Sequence, residues 1–165
     1  MKEIFTRISV RKFEDRPVEE EKITQILKAA MAAPSAGNQR PWEYYVVRDK
    51  AVIEALSKSS PYAGCVANAP VVIVPCVKKE GLHFPELAEI DLAATTENIL
   101  LEVVSQGLGA VWIGIAPFAD RIASAGAALN IEDNLYTYAL IPVGYPGESR
   151  PQQDRFEESR IHYIG

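Results

Sequence analysis

LAEIDLAATTENILLEVVSQ, residues 87–106, decides the fold. Asp91, Thr95, Asn98 and Glu102 fall at i, i+4, i+7 and i+11, so they share one stripe of a helix. Nearly everything else on that helix is Ala, Leu, Ile or Val. A helix apolar around most of its circumference is buried on most sides. A chain of 165 residues has few places that can bury one so fully. Two readings follow with equal weight from periodicity: a core helix with an ordinary solvated stripe, or a helix at a subunit interface. Gly107 ends it.

Downstream, Ala110 to Ile115 reads as a short buried strand, and Phe118 to Leu129 as a helix opened by Pro117. Tyr136 to Val143 is the last strand, closed by Gly144, Pro146 and Gly147. Upstream, Val71 to Val77 (VVIVPCV) is a β-branched strand that Pro75 pushes toward an edge or a bulge. Lys50 to Lys58 reads as a helix and Glu43 to Val47 as a strand. From Glu19 to Ala32, Ile23, Ile26, Leu27, Ala30 and Met31 form one apolar helical stripe, with three glutamates in the first turn and Pro34 beyond the end. Glu3 to Arg7 suggests a short opening helix. Strands well separated in sequence, alternating with helices, give an α+β or α/β class with helices packed on a central sheet. The chain is expected to be one domain, 1–165, with a polar arm from about Glu148 to Gly165.

The composition is 48% hydrophobic and 24% charged, as in an ordinary globular domain. Seventeen basic and 22 acidic residues give a net charge of −5, which disfavours a nucleic-acid partner. Cys65 and Cys76 form no CxxC pair and read as free thiols in a reducing cytoplasm. The first residues lack the apolar run of a signal peptide, and no stretch has the 18 or so apolar residues of a membrane span. His83 and His162 have no ligand-spaced partner, so a metal centre is not expected. No G-x-S-x-G elbow or phosphate loop exists, and Trp112 stands where a dinucleotide fingerprint beginning at Gly107 needs its third glycine. The usual protein nucleophiles and bases are missing, so a cofactor is expected to carry any reaction.

Four polar constellations remain. In Arg7-Ile8-Ser9-Val10-Arg11-Lys12-Phe13, an extended backbone puts Arg7, Ser9 and Arg11 on one face, a set of donors that suits a phosphate; the alternative is a solvated basic terminus. The loop Ala33-Pro34-Ser35-Ala36-Gly37-Asn38-Gln39-Arg40-Pro41-Trp42 is dense in donors and acceptors and suits the edge of a planar heteroaromatic ring; the alternative is a plain connecting turn. In Gly107 to Ile115, Gly114 permits close backbone approach to a ligand, though standing alone the segment reads as a glycine-bounded core strand. In Arg155 to Arg160, a distal arginine would fold back to a phosphate or stay solvated.

Together, in this order and spacing, RxSVRKF, APSAGNQRPW, NAPVVIV, DLAATTENILL, GLGAVWIGI, PVGYPGE and DRFEESRIHY resemble the FMN-dependent nitroreductase family over Arg7 to Tyr163. The resemblance implies an α+β nitroreductase-like fold: a central mixed or antiparallel sheet flanked by helices, in an interlocked homodimer. It implies FMN as cofactor and NADH or NADPH as electron donor. Hydride would pass through flavin N5, in ping-pong fashion, to a nitroaromatic, quinone or enone acceptor. By position, Arg7, Ile8, Ser9 and Arg11 would hold the FMN phosphate and ribityl chain, with Arg11 reaching toward the ring. Pro34, Ser35, Ala36 and Asn38 would meet the isoalloxazine edge of the other subunit. Ile113 and Gly114 would lie near N5, and Arg160 would add a C-terminal contact to the phosphate. The helix 87–106 would then be the dimer core. The family's common Arg-Arg-Ser opening is Arg-Ile-Ser here, one charge fewer. The short chain leaves Ser59 to Ala67 or Lys78 to Pro85 to roof the pocket. Dehalogenation, flavin fragmentation, azoline oxidation and non-catalytic FMN binding or redox sensing are the alternatives on the same scaffold.

Overall fold

A computed structural model describes residues 2–149, 151–152 and 154–165. The helices are α1 (Glu3–Thr6), α2 (Glu20–Met31), α3 (Lys50–Leu56), α4 (Ala88–Ser105) and α5 (Ala119–Leu129). The strands are β1 (Trp42–Val47), β2 (Val71–Lys78), β3 (Gly109–Ala110), β4 (Ile113–Gly114), β5 (Leu135–Thr137) and β6 (Ala139–Gly144). The named strands pair antiparallel, in the order β1-β2-β6-β3, with β5 also on β2 and β4 also on β6. Among the described residues the one parallel contact is an isolated bridge between Ser9 and Ala110.

β2 is the spine of this sheet. Its residues alternate between two cores, as a period of two requires. Val71, Ile73 and Val77 face the cluster built with α2 and α4. Val72, Val74 and Cys76 face the cluster built with α3 and α5. Both faces are covered, which is why the strand is an unbroken apolar run. Pro75 is therefore not on an edge strand, as its ring suggested. It lies instead where the neighbouring strand breaks between β5 and β6, and Tyr138, at that break, donates its N–H to the Pro75 carbonyl at 2.9 Å. A residue without an N–H fits at such an interruption of the ladder.

The helices start and stop for local reasons. Asp49 caps α3 by accepting from Ala51 and Val52 N–H groups. Asn130 ends α5 in the left-handed conformation. α2 buries Ile23, Ile26 and Ala30 against α4. On α4 the polar stripe is not simply solvated: Asp91 and Thr95 are buried, and Asn98 and Glu102 are half-buried. Thr95 Oγ1 donates to Ala30 O, and Asn98 Nδ2 donates to Ala29 O, satisfying carbonyls at the C-terminal end of α2. The hydroxyl hydrogen of Thr95 is thus spent, so Tyr44 OH is the donor in its bond to Thr95 Oγ1. The less covered face of α4 is a different one, carrying Ile90, Ala94, Glu97, Leu101 and Ser105. Ile90, a large apolar side chain, is 65% exposed on it.

Candidate functional site

The N-terminal basic segment is extended and stitched to the body from two sides. Val10 N–H donates to Ala110 O at 2.9 Å, and Gly147 N–H to Lys12 O at 2.9 Å. The Glu148 carboxylate accepts from the backbone N–H groups of Arg11 and Lys12 at 2.6 and 3.2 Å. Close approach to β3 depends on Gly109, where a Cβ would stand 2.8 Å from Val10. Burial of Val10 on one side turns Arg7, Ser9 and Arg11 the other way, as strand alternation requires.

There they line a polar cavity of about 250 Å³ with Ile8, Pro151, Gln152 and Arg155. Three guanidinium groups, a hydroxyl and an amide converge, and no acidic residue is among the described lining. That donor set fits a phosphate group, which guanidinium forks bind through paired charge-assisted bonds. Arg7 Nε also lies 3.5 Å from Glu97 Oε1 on α4. Arg11 is shared with a second, larger cavity of about 600 Å³, lined also by Lys12, Phe13, Ala67, Asn68 and Pro70. That volume is within the usual range for a small-molecule site. Asn68 is a lining residue that the sequence reading quoted but assigned no role.

The tail contributes Arg155, not Arg160. Arg160 lies outside the cavity lining, exposed, with Nε 2.6 Å from Glu157 Oε2. Pro34, Ser35, Ala36 and Asn38 are likewise absent from the lining of both cavities in the single chain. They sit on a separate loop with its own internal order. Ala36 N–H and Gln39 Nε2 donate to the two carboxylate oxygens of Asp91, at 2.9 and 2.8 Å. Gln39 also exchanges bonds with the backbone of Phe84, accepting at 2.9 Å and donating at 3.0 Å. Ser35 Oγ accepts from Arg40 N–H. Gly37, Asn38 and Arg40 all have positive φ. Asp91, 6% exposed, therefore holds the loop's shape. A buried carboxylate must be hydrogen-bonded, and the place of Asp91 at the head of the helix's polar stripe was the available signal for it. Trp42, the last residue of the stretch read as a ligand loop, is 7% exposed and packs in the core. β4 ends at Gly114, which is exposed and would leave a Cβ with no neighbour within 4 Å.

Of the thiols, Cys76 is buried and Cys65 half-buried, and both are free. Burial pushes the Cys76 thiol up to about 12, with the Glu43 charge adding to it. Among the described residues no group of three or more His, Cys, Asp or Glu could hold a metal, and no helix is long and apolar enough to cross a membrane.

The model of the nitroreductase family matches residues 4–61 and 56–145. The chain belongs to the nitroreductase family. A protein of the family from Methanothermobacter thermautotrophicus, named as a candidate NADH dehydrogenase/NAD(P)H nitroreductase, is 40% identical over 96% of this chain and 83% of its own length. A crystal structure from Clostridium acetobutylicum, named as a candidate NADH oxidase, superposes with a TM-score of 0.93 at 43% identity, covering 97% of each chain. A structure named as an FMN-dependent nitroreductase from Clostridium difficile R20291 superposes at 0.91 with 27% identity, covering 99% of this chain and 98% of that one. The nitroreductase fold, α+β with an antiparallel sheet, is thus shared over essentially the whole chain.

Proposed function

We propose that this nitroreductase is an FMN-dependent NAD(P)H oxidoreductase working by ping-pong hydride transfer. The observation that carries the reading is the cavity of Arg7, Ser9, Arg11 and Arg155, a cationic phosphate-sized site in a chain of net charge −5. Arg7, Ser9 and Arg155 hold the phosphate end, with Ile8 closing the wall between them. Arg11 lies between the two cavities, so it reaches from the phosphate toward the ring and supplies positive charge there. Ile113 and Gly114 lie near N5, with Gly114 exposed at the end of β4 and the Ile113 side chain buried beside it. Bound FMN would supply the redox chemistry, accepting hydride at N5 from NADH or NADPH and delivering it to a nitroaromatic, quinone or enone acceptor. No side chain need act as nucleophile.

A homodimer completes the site. The loop of Pro34, Ser35, Ala36 and Asn38 serves the isoalloxazine edge in the other subunit, and the less covered face of α4 is the contact between copies. The tail from about residue 148 is an arm of a single domain, and its rearrangement on a second copy is what would bring Arg160 to a phosphate. The free thiols suit the cytoplasm. The test is stopped-flow spectroscopy of the FMN-loaded protein. NADH or NADPH should bleach the flavin absorbance, and quinone or nitroaromatic acceptors should restore it. Tight FMN binding without bleaching by either nucleotide would refute the enzymatic reading.

A further inference from the structure

Beside Gly114 stands a cluster with no role in the account so far. Arg121, in the first turn of α5, donates from Nη1 to the Gly114 carbonyl at 3.2 Å. Its guanidinium carbon lies 3.9 Å from the centroid of the Phe118 ring and 5.7 Å from that of Tyr62. Both are within the range of cation–π attraction. Two segments far apart in sequence, one carrying Tyr62 and the other running from Gly114 to Arg121, therefore meet at the exposed end of β4. The two rings are unusually open for aromatics, Tyr62 at 73% and Phe118 at 49%. Among the described residues Arg121 forms no ion pair, and its one hydrogen bond goes to Gly114. A guanidinium has five N–H donors, so most of its capacity faces outward.

The cluster is linked to the proposed cofactor site through the chain between Tyr62 and Cys65. From Tyr62 the chain runs through Cys65 to Ala67 and Asn68, which line the larger cavity together with Arg11.

We infer that Tyr62, Phe118 and Arg121 form an acceptor-selecting wall for a planar aromatic electron acceptor that carries a carboxylate. The inference rests on the flavin reading above. The rings offer faces for stacking, and the guanidinium fork matches one carboxylate in a bidentate pair. A single cation suits a single carboxylate better than the diphosphate of a dinucleotide. Arg121 is thus a specificity residue, anchored at the correct height by the Gly114 carbonyl.

The experiment compares wild type, Arg121→Met and Arg121→Lys, all FMN-loaded, with flavin content read from absorbance. Benzoate binding is followed by calorimetry, and oxidative half-reaction rates are measured with 4-nitrobenzoate and its uncharged amide. Arg121→Met should weaken benzoate binding and slow 4-nitrobenzoate by about tenfold or more, the worth of one charge-assisted pair, while the amide changes less than about twofold. Arg121→Lys should recover part of the loss. Unchanged flavin content in all three separates this outcome from failure of the cofactor site. Wild type that binds no benzoate, equal losses for acid and amide, or a loss confined to the NAD(P)H half-reaction would each overturn the inference. A wild-type protein that takes up no FMN would refute the flavin reading beneath it.

Discussion

The loop of Ser35 to Arg40 and the tail of Pro151 to Gly165 are both polar segments assigned to a cofactor, yet the fold treats them oppositely. The loop is fastened within its own chain: to Asp91 on α4, to the Phe84 backbone and to itself through Ser35. Among the described residues, the tail's hydrogen bonds and ion pairs are local or single, such as Arg160 with Glu157 and Gln152 Nε2 with Ile4 O. Its apolar side chains are open, with Tyr163 88% and Ile164 100% exposed. A segment that must present atoms to a ring needs its shape set beforehand, because ordering it at the moment of binding costs entropy. A segment that lies against another surface can take its shape from that surface.

The largest test of this difference is Asp91→Ala. It strands the half-buried Ala36 N–H and removes one of the two bonds that the Gln39 amide nitrogen donates, and urea unfolding should show a loss of about 1–3 kcal/mol. A loss below about 1 kcal/mol would mean the loop is not held by this carboxylate. Gly37→Ala comes next. Its φ is +53°, and a Cβ there would stand 2.8 Å from a Phe84 ring carbon. The expected cost is about 1–2 kcal/mol, read by the same unfolding curve.

Alkaline titration sharpens the comparison at the foot of the loop. Burial drives the Tyr44 hydroxyl up to about 12, against a smaller opposing effect of its bond to Thr95. Tyr136 also rises to about 12, through burial first and then the charge of Glu89. A raised folded pKa means this stabilisation is complete below the ordinary tyrosine range near 10 and is lost as pH climbs through 12. Burial and the Glu89 charge raise Tyr138 too, so phenolate absorbance should show Tyr44, Tyr136 and Tyr138 titrating late, and Tyr44→Phe should remove one of them and flatten the loss of stability in that window.

The smallest effect is expected in the tail. Arg160→Ala removes an exposed pair with Glu157 and should change stability by less than about 0.5 kcal/mol. Arg155→Ala, by contrast, should lower FMN affinity about tenfold or more. If Arg160→Ala lowers FMN affinity as much, the tail of the working protein lies differently, carried by a second copy.

Much of this was readable before any coordinates. The helical stripe of Ile23, Ile26 and Ala30, the β-branched run of β2 and the extended Arg-x-Ser-x-Arg pattern carry their structure in their spacing. What α4's polar stripe was for did not show. Its partners are backbone carbonyls of Ala29 and Ala30 and the N–H of Ala36, and backbone groups leave no mark in a sequence. Arg155 and Arg160 were indistinguishable for the same reason: either lies five residues from the other in a segment without periodicity. The meeting of Tyr62 with Arg121 joins residues that only the folding of the sheet brings together.

The central claim is that Arg7, Ser9, Arg11 and Arg155 hold a phosphate. Titration of the apoprotein with FMN and with riboflavin, which lacks only that phosphate, tests it most directly. FMN should bind about a hundredfold tighter or more, and Arg11→Ala should erase much of the gap. Equal affinity for the two flavins, or a gap untouched by Arg11→Ala, would contradict the account.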